Sequence, residues 1–465
     1  MKFKNLVSSP QPRQRYRQMG LLGIIVLLAG FILSACGSDA TATPAQTPPP
    51  AATTRAPATT AIGNPANPTV ITWSFWGDST EVAINNRLKS VFEAKFPGIK
   101  VNIINSDWTT YFDKLKNEWT GDKAPDVMFL DNVPTWASSG MLEPLDSYIT
   151  RDKLDIDDFY PGLLNAFRYK GVLHGLPRDN DTKVIYVNLD MLREAGITVP
   201  MAGWTWQDLR SAAQKLTQRD ASGKVTRYGF AFEPDTWWRL WVWQNGGELY
   251  DNFTAPQPPT KLLLDNKDAS DAVQFFADLI NKDQVAPPYE QMNGGDKIAE
   301  MFTTGKVAMA FGNHTNIATY AKTPGLRWDV VPLPAGKQRV NVLGGAGYAI
   351  NKNSKHKEEA WQLIQWLTGP SGEALFADTG LMVPARKSVR EDNIFLRQQP
   401  YNTQVFLQET QLGKQYPEFN LSSEVDAMMN QQLVPVWQGK TTAAEVFAKL
   451  PEQVEPIFEK ARSQT

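Results

Sequence analysis

The chain has 465 residues, more than the range of about 50–250 that one hydrophobic core usually serves, so we expect two lobes. Apolar residues make up 42% and charged residues 21%, which is ordinary for a globular protein, but the 15 tryptophans are many. The 47 basic and 49 acidic residues nearly balance without a basic stripe, which excludes a nucleic-acid partner held by its phosphates.

Residues 1–35 have the layout of a signal peptide for export. Five Lys or Arg and no acid occupy positions 1–20, an apolar run of thirteen follows at 21–33, and small residues come next. The run is shorter than the roughly 20 residues that a membrane-spanning helix needs. We therefore interpret this segment as a removable signal and not as a transmembrane helix.

Cys36 is the only cysteine and ends the sequence Leu-Ser-Ala-Cys. A lone cysteine in an exported protein can be a spare thiol or form an intermolecular bridge. Leu-Ser-Ala-Cys also resembles the lipobox of bacterial lipoproteins, which implies that cleavage leaves Cys36 as a lipidated N-terminus. We expect this lipidation to hold the protein at the extracytoplasmic face of the cell membrane.

Residues 36–68 are rich in Pro, Thr and Ala and nearly lack large apolar side chains. Such a segment cannot bury enough surface to offset the entropy lost on ordering. We predict a disordered tether between the lipid and the folded part.

The folded part opens with alternating strand and helix patterns. Strands are predicted at 70–76, 99–104 and 125–131, and helices at 81–97 and 110–119. This alternation predicts an α/β domain with a mostly parallel sheet, whose ligand lies beyond the carboxyl ends of the strands. Trp76, Asp78 and Asp131 are candidates there, although Trp76 can equally be a core aromatic and Asp131 a helix N-cap.

Residues 171–217 carry Gly-Val-Leu-His-Gly-Leu-Pro, then Tyr-Val-Asn, Leu-Arg-Glu-Ala-Gly and Thr-Trp-Gln-Asp-Leu. This pattern resembles family 1 extracellular solute-binding proteins, the sugar receptors of ABC importers. Residues 70–78, 301–320 and 342–389 fit the family in the same order, so the resemblance covers about 69–465. Trp204, which precedes the usual Thr-Trp, is a local departure.

The resemblance implies a periplasmic-binding-protein-like fold of two α/β lobes, with the ligand in the cleft and closure by hinge motion. We place the first lobe at 69–183 and 312–392, and the second at 184–311 and 393–465. The chain would change lobe near residues 178–188, near 307–314, and between 385 and 405. We expect a monomer.

Candidate ligand contacts follow from this cleft. Arg178, Asp179, Asn180 and Asp181 would offer donors and acceptors to sugar hydroxyls at the first crossing. At least one of Trp237 and Trp238 would reach the cleft and stack on a sugar face, with Trp241 and Trp243 buried, although these tryptophans can also be core residues at helical spacing. The remaining candidates, at the second crossing, the glycine cluster and the cleft rim, are Asn313, His314, Gly345, Tyr348 and Arg386.

Other functional classes share some of these sequence features. A glycoside hydrolase needs paired carboxylates, such as Asp131 with Asp179, but the sequence shows no signature of one, and the resemblance predicts no catalysis. His174, His314 and His356 lack metal-site spacing, so no metal or cofactor is expected. A lipid-tethered adhesin or sensor partner would share the lipobox and tether. The expected partners are a carbohydrate ligand and the permease of an ABC importer with its cytoplasmic ATPase.

The sequence is compatible with several chemical classes of ligand. Motifs do not distinguish a monosaccharide from an oligosaccharide, or either from a sugar alcohol or glycerophosphate. Arg178 and His314 would suit a phosphate, but the acids beside Arg178 favour a neutral polyol.

Overall fold

The computed structural model describes residues 63–200, 203–251, 258–294, 296–380, 382–391 and 402–464. The predicted signal peptide, Cys36 and most of the predicted tether lie outside these ranges. Within them, no helix combines the length and the apolar composition needed to cross a membrane.

The strands of the described ranges are, in chain order, β1 (Thr69–Trp76), β2 (Ile99–Ser106), β3 (Val127–Leu130), β4 (Arg168–Tyr169), β5 (Val172–Leu173), β6 (Leu176–Pro177), β7 (Val184–Asn188), β8 (Gln218–Arg219), β9 (Val225–Ala231), β10 (Val307–Gly312), β11 (Trp328–Val331), β12 (Asn341–Leu343), β13 (Gly347–Ile350) and β14 (Gly413–Gln415).

The helices are α1 (Ser79–Lys95), α2 (Trp108–Thr120), α3 (Val133–Ser138), α4 (Asp146–Asp152), α5 (Pro161–Ala166), α6 (Leu189–Glu194), α7 (Trp206–Leu216), α8 (Pro234–Gln244), α9 (Lys267–Asn281), α10 (Tyr289–Met292), α11 (Lys297–Thr303), α12 (Asn316–Ala321), α13 (Lys357–Leu367), α14 (Pro370–Ala377), α15 (Lys387–Glu391), α16 (Gln404–Thr410), α17 (Ser422–Trp437), α18 (Ala443–Phe447) and α19 (Leu450–Ser463).

The first sheet has the order β2-β1-β3-β13-β6. In β1 the side chains of Ile71, Trp73 and Phe75 are buried at every second position, as expected for a strand packed under helices. β1 runs parallel to β2 and β3, whereas β13 runs antiparallel to β3 and β6. The sheet is therefore mixed and not mostly parallel as predicted, because β13 returns late in the chain from the second lobe.

The second sheet has the order β11-β7-β10-β9-β8. Only β10 and β9 are parallel in it, while β7 pairs antiparallel with both β10 and β11. Helix α8 follows β9 and buries Trp238, Trp241 and Trp243 completely, which accounts for part of the high tryptophan content. The two-lobed α/β architecture is confirmed, with mixed sheets in both lobes.

Two hydrophobic cores define the lobes. The first core contains Leu176 and the second contains Val184, so the chain changes lobe between them. The second change lies between Val342 and Leu343, and not near 312, because α12 and β11 still pack in the second lobe. The third lies between Val389 and Val405, a stretch that includes residues outside the described ranges.

Candidate ligand-binding site

A cavity of about 500 Å³ lies between the two lobes. We call it the ligand cavity. Its first-lobe wall is formed by Trp108, Phe112, Lys116, Asp131, Asn132, Thr135 and Trp136. Its second-lobe wall is formed by Thr236, Trp237, Arg239, Leu249, Tyr250, Tyr416, Pro417, Glu418, Ser422, Ser423 and Asp426. Its volume lies within the range of about 300–1,000 Å³ common for small-molecule sites.

Aromatic rings form the first-lobe wall at the carboxyl ends of β1, β2 and β3. Trp108 begins α2 directly after β2, and its side chain is 52% exposed. Trp76 ends β1 but packs behind this wall, with its ring centroid 5.0 Å from that of Trp108 and 4.3 Å from that of Phe129. Trp76 therefore supports the ring that lines the cavity and does not line it.

Trp237 lines the second-lobe wall in a fixed orientation. Its indole N–H donates to Glu233 at 2.9 Å, and the Lys183 ammonium lies 3.6 Å from its ring centroid. Trp238 is fully buried, and its indole N–H donates to Asn430 at 2.9 Å. The structure thus excludes Trp238 from the cavity surface, because adjacent positions on α8 point about 100° apart.

Carboxylates outnumber cations around the ligand cavity, with Asp131, Glu418 and Asp426 against Lys116 and Arg239. Burial raises the pKa of Asp131. Burial also raises the pKa of Glu418 well above its usual range, and repulsion from Asp131 and Asp426 adds to this shift. Glu418 Oε2 has no hydrogen-bond partner among the described residues, so a ligand hydroxyl can satisfy it.

Hydrogen bonds already join the lobes beside the cavity. Asn132 donates from its side chain to the Ser422 hydroxyl at 3.1 Å, and the Thr135 hydroxyl donates to the Phe419 carbonyl at 3.4 Å. Asn132 also caps α3, so Asp131 is not the N-cap of that helix and its carboxylate stays at the cavity wall.

Residues 178–181 lie where the chain first crosses between the lobes, and they do not line the ligand cavity. Arg178 pairs with Glu81 and Asp179, each at 2.6 Å, and its guanidinium stacks 4.0 Å from the Phe129 ring centroid. Asp179 accepts from the Ala346 backbone N–H at 2.9 Å. Arg178 and Asp179 are both buried, which corrects their predicted place at the cleft wall.

Asn180 and Asp181 connect the crossing segments. The Asn180 amide donates to Thr182 at 2.8 Å and to Thr410 at 2.6 Å, and Asn180 is fully buried. Asp181 accepts from Asn313 at 2.6 Å and from Lys183 at 2.8 Å. Burial alone would raise the pKa of Asp181, but the Lys183 charge and these hydrogen bonds hold it below its usual value.

Six other candidates also lie away from the ligand cavity, and one of them, Asn313, is half-buried as the donor to Asp181. Asp78 caps α1 by accepting from the Thr80 and Glu81 amides, and it lines a separate crevice beside Thr304 and Thr315. Three are buried: His314 just after β10, Tyr348 in the first core, and Arg386 against Asp158 at 3.0 Å. Gly345 approaches the Asp179 carbonyl so closely that a Cβ would lie 2.1 Å from it.

The sequence missed most of the cavity. Trp108 follows β2, so it carries the same signal as Trp76 and Asp131, a position at the carboxyl end of a predicted strand. Arg239 lies two positions after Trp237 and turns inward, where its guanidinium lies 2.7 Å from Asp426. Tyr416, Glu418 and Asp426 come from a C-terminal segment that carries no motif.

Comparisons with known proteins agree with this architecture. The family model described as bacterial extracellular solute-binding protein matches residues 77–374. The arabinooligosaccharide-binding protein of Bacillus subtilis is 25% identical over 315 residues, covering 64% of this chain and 68% of that protein.

Two solved structures share the fold at low sequence identity. An ABC substrate-binding protein of Listeria monocytogenes in complex with cycloalternan is 23% identical, with a TM-score of 0.76, over 85% of this chain and 100% of that one. UgpB from Mycobacterium tuberculosis in complex with glycerophosphocholine is 21% identical, with a TM-score of 0.72, over 83% and 98%. The family match covers more than half of the sequence, and this chain belongs to the bacterial extracellular solute-binding proteins.

Proposed function

We propose that this protein captures a sugar in the ligand cavity and delivers it to the permease of an ABC importer. One observation carries the proposal: Trp108 of the first lobe and Trp237 of the second line the same cavity, and the carboxyl groups of Asp131, Glu418 and Asp426 line it as well. The relatives that bind oligosaccharides support the sugar as the ligand class.

The chemistry of a sugar matches both kinds of wall. Its C–H faces are apolar and pack on flat aromatic rings, for which Trp108 and Trp237 are available. Its hydroxyls hydrogen-bond to carboxyl groups such as those of Asp131 and Glu418, and each such bond contributes about 0.5–1.5 kcal/mol, or about 1.5–3 kcal/mol where the carboxyl group is ionised.

No catalysis is part of the proposal. A hydrolase would need Asp131 and Asp179 to face the same ligand. Asp131 lines the cavity, whereas Asp179 is buried in an ion pair with Arg178. A hydrolysis assay on oligosaccharides should therefore give no products, and turnover that an Asp131→Asn variant abolishes would contradict this part.

Binding is tested by a thermal-shift screen of the purified protein against a panel of sugars and polyols. A ligand present at about 100 times its dissociation constant adds about 2.7 kcal/mol to stability and raises the melting temperature. No shift with any saccharide, together with a shift by a non-carbohydrate solute, would overturn the proposed ligand class.

We further propose that the protein acts as a monomer at the membrane, anchored by lipid on Cys36 through the tether at 36–68. The support is the export-signal layout and the Leu-Ser-Ala-Cys sequence. Cys36→Ser should move the protein from the membrane fraction to the soluble fraction of cells. Equal partitioning of both forms in detergent extraction would argue against the anchor.

A further inference from the structure

A second cavity adjoins the ligand cavity. It has a volume of about 700 Å³, and we call it the side chamber. Asp107 and Trp108 line it from the first lobe, and the second lobe supplies Glu233, Pro234, Asp235, Thr236, Met292, Asn293, Gly294 and Asp296. Trp108 and Thr236 line both cavities, so the two are neighbouring compartments of one interlobe groove.

The side chamber is acidic. Asp107, Glu233, Asp235 and Asp296 contribute carboxylates to its lining, and among the residues that the structure describes no Lys or Arg belongs to that lining. Like charges repel at this range in a partly desolvated groove, so a phosphate or uronate group is disfavoured there. Hydroxyl groups, which donate hydrogen bonds, are favoured.

Hydrogen-bond acceptors in the side chamber have spare capacity. Asp235 accepts from the Tyr289 hydroxyl at 2.9 Å through Oδ2, while its Oδ1 has no partner among the described residues. The Asp296 side chain is exposed and makes no capping bond to α11, although it stands at the N-cap position. A donor-rich group that enters the chamber can therefore bind the exposed Asp296 carboxylate without displacing a capping bond, whereas Asp235 Oδ1 is buried and is reached only if the Asp235 side chain moves.

Resting on the proposed function, we infer that the ligand is a saccharide of at least two residues without an anionic group. One residue occupies the ligand cavity between Trp108 and Trp237, and the next passes Thr236 into the side chamber. A lone monosaccharide would fill only one compartment. The other compartment would hold water, and its hydrogen-bond acceptors would receive no bond from the ligand. The two compartments of the groove thus favour a ligand of at least two sugar residues, and the acidic lining of the side chamber favours a ligand without an anionic group.

The test is isothermal titration of the purified full chain with three saccharide series: glucose with its α-1,4 oligomers, arabinose with its α-1,5 oligomers, and galactose with its β-1,4 oligomers. Glucose 6-phosphate is the anionic probe, and glycerophosphocholine, whose phosphate is balanced by a quaternary ammonium, is a zwitterionic probe. In each series that binds, we expect the di- or trisaccharide to bind at least tenfold more tightly than the monosaccharide. Asp296→Ala should bring the ratio of these affinities toward one.

Asp271→Ala removes an exposed carboxylate of the same lobe that lines neither cavity, and this control should keep the ratio. A monosaccharide that binds as tightly as its oligomers, or tighter binding of glycerophosphocholine or glucose 6-phosphate, would overturn the inference. In the first case the proposed sugar-binding function still stands. Failure of every saccharide to bind would reject the proposed function, and the inference with it.

Discussion

Trp237 is held on three sides before any ligand arrives. Glu233 accepts its indole N–H, the Lys183 ammonium covers one ring face at 3.6 Å, and Tyr416 packs with its ring centroid 6.1 Å away. Side-chain entropy is therefore already lost in the unliganded protein, which favours affinity. The same contact links the ring to Asp181 through Lys183.

Trp237→Ala should weaken sugar binding about 10–100-fold, a cost of about 1.4–2.7 kcal/mol, as measured by titration calorimetry. Trp238→Ala is the matched comparison, because its ring is fully buried in the second core. That variant should lose about 3–5 kcal/mol of stability in chemical denaturation instead. Unchanged sugar affinity in Trp237→Ala would show that this ring is not a stacking surface.

Asp181 makes the first crossing between the lobes sensitive to acid. Its folded-state pKa is lowered, so it stabilises the fold above its ordinary pKa, and this stabilisation is lost as the pH falls through the folded-state value. Asp181→Asn should reduce the free energy of unfolding by about 1.5–3 kcal/mol at pH 7. The difference from wild type should shrink below about pH 4 in denaturant titrations. A difference that stays constant down to pH 2 would contradict the assigned ion pair with Lys183.

At the scale of elements, the segment before β13 packs against the first crossing between the lobes. At Gly345 this packing leaves no room for a side chain. A Cβ on Gly345 would lie 2.1 Å from the Asp179 carbonyl oxygen, whereas Gly344 has no atom within 4 Å of the equivalent position. Gly345→Ala should destabilise the protein by about 1–3 kcal/mol, since backbone must move. Gly344→Ala should change the melting temperature little, and equal effects of both variants would show that the crossing tolerates a shift.

Sequence patterns predicted elements better than connections. The strands β1 to β3 and helices α1 and α2 follow from periodicity, because each buries one face against the first core. The predicted position of the second change of lobe, near residues 307–314, was wrong. The sequence of an apolar strand such as β10 is the same whether the chain then leaves the lobe or continues in it with α12 and β11. Nothing local distinguishes these two continuations.

Two of the residues predicted to contact a ligand lie at the candidate site, and their contact with a ligand stays a prediction. Asp131 follows β3 and Trp237 lies in α8, and both line the ligand cavity. The charged run at 178–181 was wrongly placed there, because charge alone does not distinguish a ligand contact from a buried network at the crossing between the lobes. Tyr416 and Glu418 reach the cavity through the long-range pairing of β12 with β14, which no local pattern encodes.

At the scale of the whole molecule, ligand contacts on two lobes imply that binding and closure are coupled. Trp108 and Asp131 belong to the first lobe, and Trp237 and Glu418 to the second. A ligand that touches both walls binds the closed form better, and shifting an equilibrium from 1:99 to 99:1 needs about 5.5 kcal/mol of differential affinity. A stacked ring and a few charge-assisted hydrogen bonds supply this amount.

Saturating saccharide should therefore reduce the radius of gyration measured by small-angle scattering of the purified protein. The control is Trp237→Ala at the same saccharide concentration, where the radius should decrease less, in proportion to the lower occupancy of the variant. Ser422→Ala removes the interlobe acceptor of Asn132 without removing a ring or a carboxylate, so it should weaken closure by about 0.5–1.5 kcal/mol. A radius that does not change at full occupancy would mean that the sugar binds to one lobe, and that the groove between the lobes is not a clamp.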